Sequence, residues 1–463
     1  MKKALTTTVF LAIFWLGQSS VFANNSAPYR LHRLSTGLKL VTVESHKVPL
    51  VTIVLAVRAG GMTEKPTTDG LTHLWEHMFF KGNKQIPNQE AFKQRVRELG
   101  IVFNGDTSAE KVRYYFTLPS ANLEAGLEFM YQAISGPLLD EGELAKERQV
   151  VLDEYDRAAS QPGFELRRLL KRVIYGDKFY LRDPLGQRPL IAGATKEELF
   201  KMKDEVFVPS NSALLVAGDF DPKTIKSVVT KVFKKWKDPA GWKAIVPPAF
   251  PKFPPSQSIV MTRSNTKNVS VRYVFKGPKA RKLPQDTYAA DILINLLNLR
   301  TGKFHKNFVE SGAALSAGMV YYTQSQAGEV TLYGTATASK AQELRKNLLA
   351  APKEWLKPNY FSQVELEDVK RTLKVERLYA LNKPSDYVKN LGFWWAVTGL
   401  DYYDTYLDNL LKTDLKQVQQ FIKKYFIGQS YVETVFLSPD DAKQMGVQDN
   451  SGPLMKKYFP HPS

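Results

Sequence analysis

Residues 73–77 read His73-Leu74-Trp75-Glu76-His77. Two histidines four apart on a helix lie one above the other on one face, with Glu76 close beside them. That pair offers two imidazole nitrogens to a zinc ion, and the glutamate is poised over an open coordination position. The chain has only six histidines, so this spacing is rare by chance. It has no cysteine, so any zinc must be held by nitrogen and oxygen. Candidate carboxylates cluster in Glu147-Arg148-Gln149-Val150-Val151-Leu152-Asp153-Glu154, where Glu147 and Glu154 are two helical turns apart and share a face. A carboxylate turned toward a core is unfavourable unless a cation or hydrogen bonds offset it, and zinc would provide that offset. Glu141, Glu143 and Asp156 belong to the same stretch, so an ordinary solvated acidic stripe is the competing reading. Composition alone does not separate the two.

The elements that must position these residues can be read from periodicity and punctuation. Strand-like runs at 38–43 and 51–57 lead to Gly60-Gly61, and Thr68 or Asp69 is placed to cap a helix that carries the motif and stops near Gly82-Asn83. A second amphipathic helix spans 88–99 and is closed by Gly100. Strands are expected at 101–103 and 112–118 around Asn104-Gly105-Asp106-Thr107, and helical patterns at 122–134 and 141–175. A strand at 213–216 and a helix begun by Asp221-Pro222 close this half. The second half repeats the outline. Strands at 258–261 and 269–275 precede a helix from Asp286. Strands at 317–322 and 329–335 follow, then helices at 339–355 and 363–381 and a strand at 430–437. No histidine stands where the first half carries its motif, so one metal site is expected. The aromatic residues Phe393, Trp394, Trp395, Tyr402 and Tyr403 read as core or interface at helical spacing.

The whole chain sets further bounds. Lys2 and Lys3, a short apolar run at 9–16 and Val21-Phe22-Ala23 fit a signal peptide, residues 1–23, cleaved after Ala23. The run is too short to span a bilayer, so an exported, bacterial, periplasmic protein is expected with no stable membrane span in the mature chain. Export without cysteine leaves stability to packing alone. The remaining length suggests two domains, and a proline-rich stretch marks the boundary. Residues 24–237 then form an N-terminal zinc-bearing domain, 238–257 a linker, and 258–463 a related domain without metal. The fold class is α+β, each domain a mainly antiparallel sheet with helices on one face. The formal charge of +18 comes from scattered lysine and arginine. It reads first as the solvated surface of a basic protein, and more sharply as attraction to anionic lipid or acidic peptides. No nucleic-acid motif is present.

The motif at 73–77, with Glu154 following and Glu147 seven residues before it, resembles the pitrilysin/insulinase family of inverted-motif zinc peptidases. Further marks are Leu99-Gly100, Asn104 and Thr107 before Tyr114-Tyr115, and Pro209-Ser210-Asn211 before the strand at 214–219. Size and the two-unit plan are similar to the short, processing-peptidase-like branch. The resemblance implies zinc ligands His73, His77 and Glu154, with Glu76 as general base to a zinc-activated water attacking a peptide carbonyl. It makes Glu147 a carboxylate that supports the catalytic site. It also implies that an extended peptide adds to the strand carrying Asn104, a candidate substrate contact; Asn104-Gly105 equally suits a turn.

The pattern departs from the family at one place. Members that work alone carry an arginine and a tyrosine in the second half, which bind substrate and stabilise the oxyanion. Here Val309 stands where the arginine belongs and Leu315 where the tyrosine belongs. Neither donates a hydrogen bond. The departure resembles two-chain members in which a homologous partner subunit supplies that pair, so the expectation is the zinc-bearing half of a heterodimer. A homodimer would leave both chambers without the pair. The alternative function is a non-catalytic binding or assembly subunit of the same family. A purely structural zinc fits less well, since such sites use four protein ligands and three are in view.

Overall fold

The computed structural model describes residues 28–176, 183–246, 248–326 and 328–459. The expected signal peptide, 1–23, and Pro247 lie outside the described residues. The first sheet contains β1 (Arg30–Arg33), β2 (Lys39–Glu44), β3 (Leu50–Val57), β4 (Val102–Thr107), β5 (Val112–Pro119) and β6 (Ser212–Gly218), in the order β1-β2-β6-β3-β5-β4. The second contains β7 (Gln257–Thr262), β8 (Val269–Lys276), β9 (Ser316–Tyr321), β10 (Glu329–Ala336) and β11 (Tyr431–Leu437), in the order β7-β11-β8-β10-β9. In each sheet one pair, β2 with β6 and β7 with β11, is parallel. The neighbouring pairs run antiparallel. Setting β2-β6-β3-β5-β4 against β7-β11-β8-β10-β9 matches every partner, so the chain builds one α+β plan twice as two related domains.

β3 and β6 are apolar on both faces, which requires cover on both sides. Val51, Ile53, Leu55 and Val57 pack with their own half's helices, while Val54 and Ala56 face the other way. That far face is covered by Tyr387, Val388, Leu391 and Trp395 of a helix from the second half, Pro384–Val397. The loan is returned. Leu166, Leu169, Leu170 and Val173 of a first-half helix pack on Ile259, Met261, Val274 and Val432 of the second sheet. Each such side chain contributes roughly 1.5–3 kcal/mol of burial, so the two halves stabilise each other across both sheets.

The helices of the first half are α1 (Leu71–Met78), α2 (Gln89–Leu99), α3 (Leu123–Ser135), α4 (Glu141–Ala159) and α5 (Phe164–Tyr175). α2 is framed as its sequence foretells, with the Asn88 side chain accepting from the Ala91 N–H at 2.9 Å and Gly100 left-handed at φ 63°. α1 differs from expectation at both ends. Neither Thr68 nor Asp69 caps it. Gly70 turns the chain at φ 98°, and the buried Glu64 carboxylate accepts from the Thr72 N–H at 3.0 Å and its hydroxyl at 2.6 Å. Burial, helped by nearby Asp69, pushes the Glu64 carboxyl up to about 7. The helix closes at Met78, short of Gly82-Asn83. The single helix expected over 141–175 is broken at 160–163, where Pro162-Gly163 interrupts it and Gly163 takes φ 78°. That break lets α4 stay beside α1 while α5 crosses to the second sheet. β4 runs straight through Asn104-Gly105, because pairing with Tyr115 and Tyr114 overrides the turn tendency; the chain reverses instead where the Ser108 N–H meets the Lys111 carbonyl.

Between the sheets, the described residues of 238–256 form no helix or strand. They are tied down by the Trp242 indole donating to the Glu205 carbonyl at 2.9 Å. Trp395, Tyr402 and Tyr403 are buried, and Trp394 stacks on Tyr402 at 5.3 Å, so the aromatic segment is core.

The helix Pro284–Asn298, following β8, takes the place in the second half that α1 takes in the first. It carries Asp291, whose carboxylate accepts from the Tyr406 hydroxyl at 2.7 Å. Desolvation raises the Asp291 carboxyl to about 7, opposed by that hydrogen bond. The folded chain thus keeps a proton that the unfolded chain releases near its ordinary value of 3.8. Stability from the neutral form is fully present below about pH 4 and is lost as pH rises toward about 7. Asp291→Asn, which keeps an acceptor for Tyr406 without the charge, should stabilise the protein by on the order of 1–3 kcal/mol at about pH 8. The gain should vanish at about pH 4. Thermal melts at the two pH values check this, and a variant no more stable at the higher pH contradicts it.

Candidate metal centre

α1 places His73 and His77 one turn apart, ring centroids 4.8 Å from each other and planes at 86°. α4 crosses beside it and brings Glu154 to them. Its Oε2 lies 3.6 Å from His73 Nε2 and 3.7 Å from His77 Nε2. One donor atom from each residue fits within a mutual span of 4.8 Å. A tetrahedral zinc with donors ~2.0–2.2 Å away sets those donors roughly 3.4 Å from one another. The observed separations therefore fit a cation at their centre, with two nitrogens and one oxygen and a fourth position left open.

The second nitrogen of each ring is treated differently. His77 Nδ1 meets Glu147 Oε2 at 3.0 Å, and Glu147 Oε1 meets Lys81 Nζ at 2.6 Å. With Nδ1–H donated to Glu147, the Nε2 lone pair points at Glu154. Glu147 is 5% exposed. Burial opposes its ionisation, but the hydrogen bonds from His77 and Lys81 outweigh it and hold the carboxyl below its usual range. For His77 burial disfavours the charged form, yet Glu147, Glu154 and Glu76 together raise its pKa. His73 Nδ1 is buried with no hydrogen-bond partner, and burial with the neighbouring His77 lowers its pKa to about 4. His73 is therefore neutral at pH 7, as a metal ligand must be.

Glu76 turns toward β4. Its Oε2 accepts from the Thr107 hydroxyl at 2.6 Å. Its Oε1 lies only 2.6 Å from where a Cβ on residue 105 would stand, so Gly105 makes room for the carboxylate. Burial raises the Glu76 carboxyl, opposed by the Thr107 bond. β4 is the edge of its sheet, paired on one side with β5. Its other side offers a ladder of backbone groups next to Glu76. Asn104 lies on this strand, but its side chain faces the opposite way. Gly105 pairs with Tyr114 on the core face, while Asn104 pairs with Tyr115 on the other and accepts its neighbour's N–H at 2.8 Å.

His73, Glu76, His77, Glu147 and Glu154 are thus brought together, and Asn104 borders the group through its backbone. Sequence reasoning missed Lys81, although its position one turn beyond His77 was the available signal, and it missed the part Gly105 plays. It also missed the braces on the β4–β5 hairpin, two of which reach across to the second half. Asp106 accepts from Lys111 and Arg113, Arg113 donates on to the Lys389 carbonyl, and Glu110 accepts from the Ser325 N–H at 3.1 Å. Val309 packs on the second core, and Leu315, 58% exposed, immediately precedes β9.

Comparison with known proteins points to one family. The family model described as insulinase (peptidase family M16) matches residues 39–180, and the one described as peptidase M16 inactive domain matches 193–373. The zinc protease PqqE of Helicobacter pylori is 26% identical over 399 residues, covering 85% of each chain. A crystal structure of a protease from Helicobacter pylori shares the fold with a TM-score of 0.79 at 22% identity, over 89% of this chain and 99% of that one. The first half of the periplasmic protease PqqL from Escherichia coli does so with a TM-score of 0.74 at 17% identity, over 94% of this chain and 97% of that one. With two matched family models, a repeated α+β plan and a His-His-Glu group on the motif helix and its neighbour, the chain belongs to the insulinase family of peptidases, family M16.

Proposed function

We propose that this chain is the zinc-bearing subunit of a metalloendopeptidase that hydrolyses extended peptides. The observation that carries the reading is the convergence of His73, His77 and Glu154 beside a carboxylate, Glu76, that makes no part of the donor set. When bound there, zinc supplies Lewis acidity toward a carbonyl oxygen or a water. The chain's own residues do the rest. Glu147 and Lys81 orient His77. Thr107 holds Oε2 of Glu76, leaving Oε1 to take a proton from water as it attacks the peptide carbonyl and to return it to the leaving amine. The free edge of β4 pairs with an extended peptide backbone, which reads shape more than sequence.

Val309 and Leu315 cannot stabilise an oxyanion, so a homologous chain supplying arginine and tyrosine completes the site in this reading. Export to the periplasm is part of the proposal and rests on the N-terminal sequence; no described helix is long and apolar enough to cross a membrane. The same two apolar residues favour the second reading, a binding or assembly subunit that never cleaves.

Glu76→Gln separates the two. Assayed together with a sibling chain that carries the arginine and tyrosine, it should lower peptide cleavage by about 100-fold or more while zinc content stays at the parent level; unchanged cleavage removes Glu76 as the base, and a parent that stays inactive in that mixture favours the assembly reading. Mixing the purified chain with a sibling chain that carries the arginine and tyrosine should raise cleavage well above either alone. Equal rates for the single chain and the mixture would contradict the two-chain arrangement.

A further inference from the structure

A cavity of about 370 Å³ opens where β4 ends at Thr107, the residue whose hydroxyl holds Glu76. Its wall is one face of α5, bearing Arg167, Arg168, Lys171 and Arg172. A second cavity of about 230 Å³ shares Lys171, Tyr175 and Gln324 with it and runs on to the edge strand β9. The cationic wall is built in an unusual way. Arg168 is held by aromatic rings, its guanidinium 4.9 Å from Phe459, 5.4 Å from Tyr155 and 5.6 Å from Phe164. It also donates to the Tyr155 hydroxyl. Such stacking fixes a guanidinium without neutralising it. Among the described residues Arg167 and Arg168 make no ion pair, whereas Lys171 pairs with Glu329 at 2.8 Å. The carboxylates in the lining are otherwise engaged. Asp69 is buried and accepts from Gln187, and Asp183 accepts from the Leu185 N–H.

A peptide added along β4 passes Glu76 and then Thr107, and beyond Thr107 its path leads into this cavity. We propose that the cavity receives a carboxylate of the bound peptide, its C-terminus or an acidic side chain, and that Arg167 and Arg168 are the residues that select it. The inference rests on the peptidase reading and names its substrate class, peptides acidic on one side of the cleaved bond.

The test is binding to the full chain carrying Glu76→Gln, which separates recognition from cleavage. The probes are fluorescently labelled extended peptides in matched sets: glutamates against glutamines, and a free C-terminus against its amide. The acidic peptide should bind about tenfold more tightly than the neutral one at low salt, the scale of one charge-assisted contact, and the gap should narrow as salt is added. R167Q/R168Q should close the gap, R167K/R168K should keep most of it, and exposed Arg167→Gln alone should reduce it. The amide arm tells a C-terminal carboxylate from a side chain. Equal binding of acidic and neutral peptides, or a gap that survives R167Q/R168Q, overturns the cavity assignment. In that case cleavage of both peptides by the parent mixed with its sibling chain leaves the peptidase reading standing. No binding of any probe and no cleavage by that mixture overturns both.

Discussion

A carboxylate buried between an ammonium and an imidazole holds this site together. Glu147 is removed from water, which is unfavourable for an ionised group unless donors replace the lost hydration. Both donors, Lys81 Nζ and His77 Nδ1, come from α1 and the turn that follows it. Glu147 is therefore satisfied only when α4 lies at one register against α1. That register places Glu154, two turns further along α4, opposite the outward nitrogens of His73 and His77. One ion-paired carboxylate thereby sets the helix crossing, the tautomer of His77 and the spacing of all three donors.

The other side of the site is set by the sheet. Glu76 can lie flat against β4 because Gly105 has no side chain, and Thr107 fixes one of its oxygens. The β4–β5 hairpin is in turn braced from the second half, through Arg113 to the Lys389 carbonyl and Glu110 to Ser325. The exchange of covering helices, α5 for Pro384–Val397, is what brings those braces within reach. A second half without histidines at the equivalent helix thus still shapes the first half's chemistry. It does so by holding a strand edge, not by donating a ligand.

The parts of this arrangement written in local spacing were legible in the sequence. His73, Glu76 and His77 follow from a four-residue period, and Glu147 with Glu154 from a seven-residue one. Asn88 and Gly100 frame α2 by ordinary capping chemistry. What was not legible depends on contacts distant in sequence. The cap of α1 comes from Glu64, eight residues before the N–H it accepts, so looking only next to the helix pointed to Thr68 and Asp69. Asn104-Gly105 looks like a turn until β5 is known to pair with it. One helix was expected to run through Pro162-Gly163, and the break there, which sends α5 to the other sheet, depends on contacts with that sheet. The aromatic cradle of Arg168 has Phe164 one turn away on α5, but it is closed by Phe459, nearly three hundred positions on.

The most direct test of the central claim is the zinc affinity of the full chain beside that of Glu147→Ala, measured by competition with a chelator, together with X-ray absorption at the zinc edge. One zinc per chain is expected, with two imidazole nitrogens and a carboxylate oxygen among its ligands. Glu147→Ala should weaken its affinity by roughly 10–100-fold while the three ligands remain in place. An affinity unchanged by the substitution, or a zinc held by four protein ligands, would contradict the account.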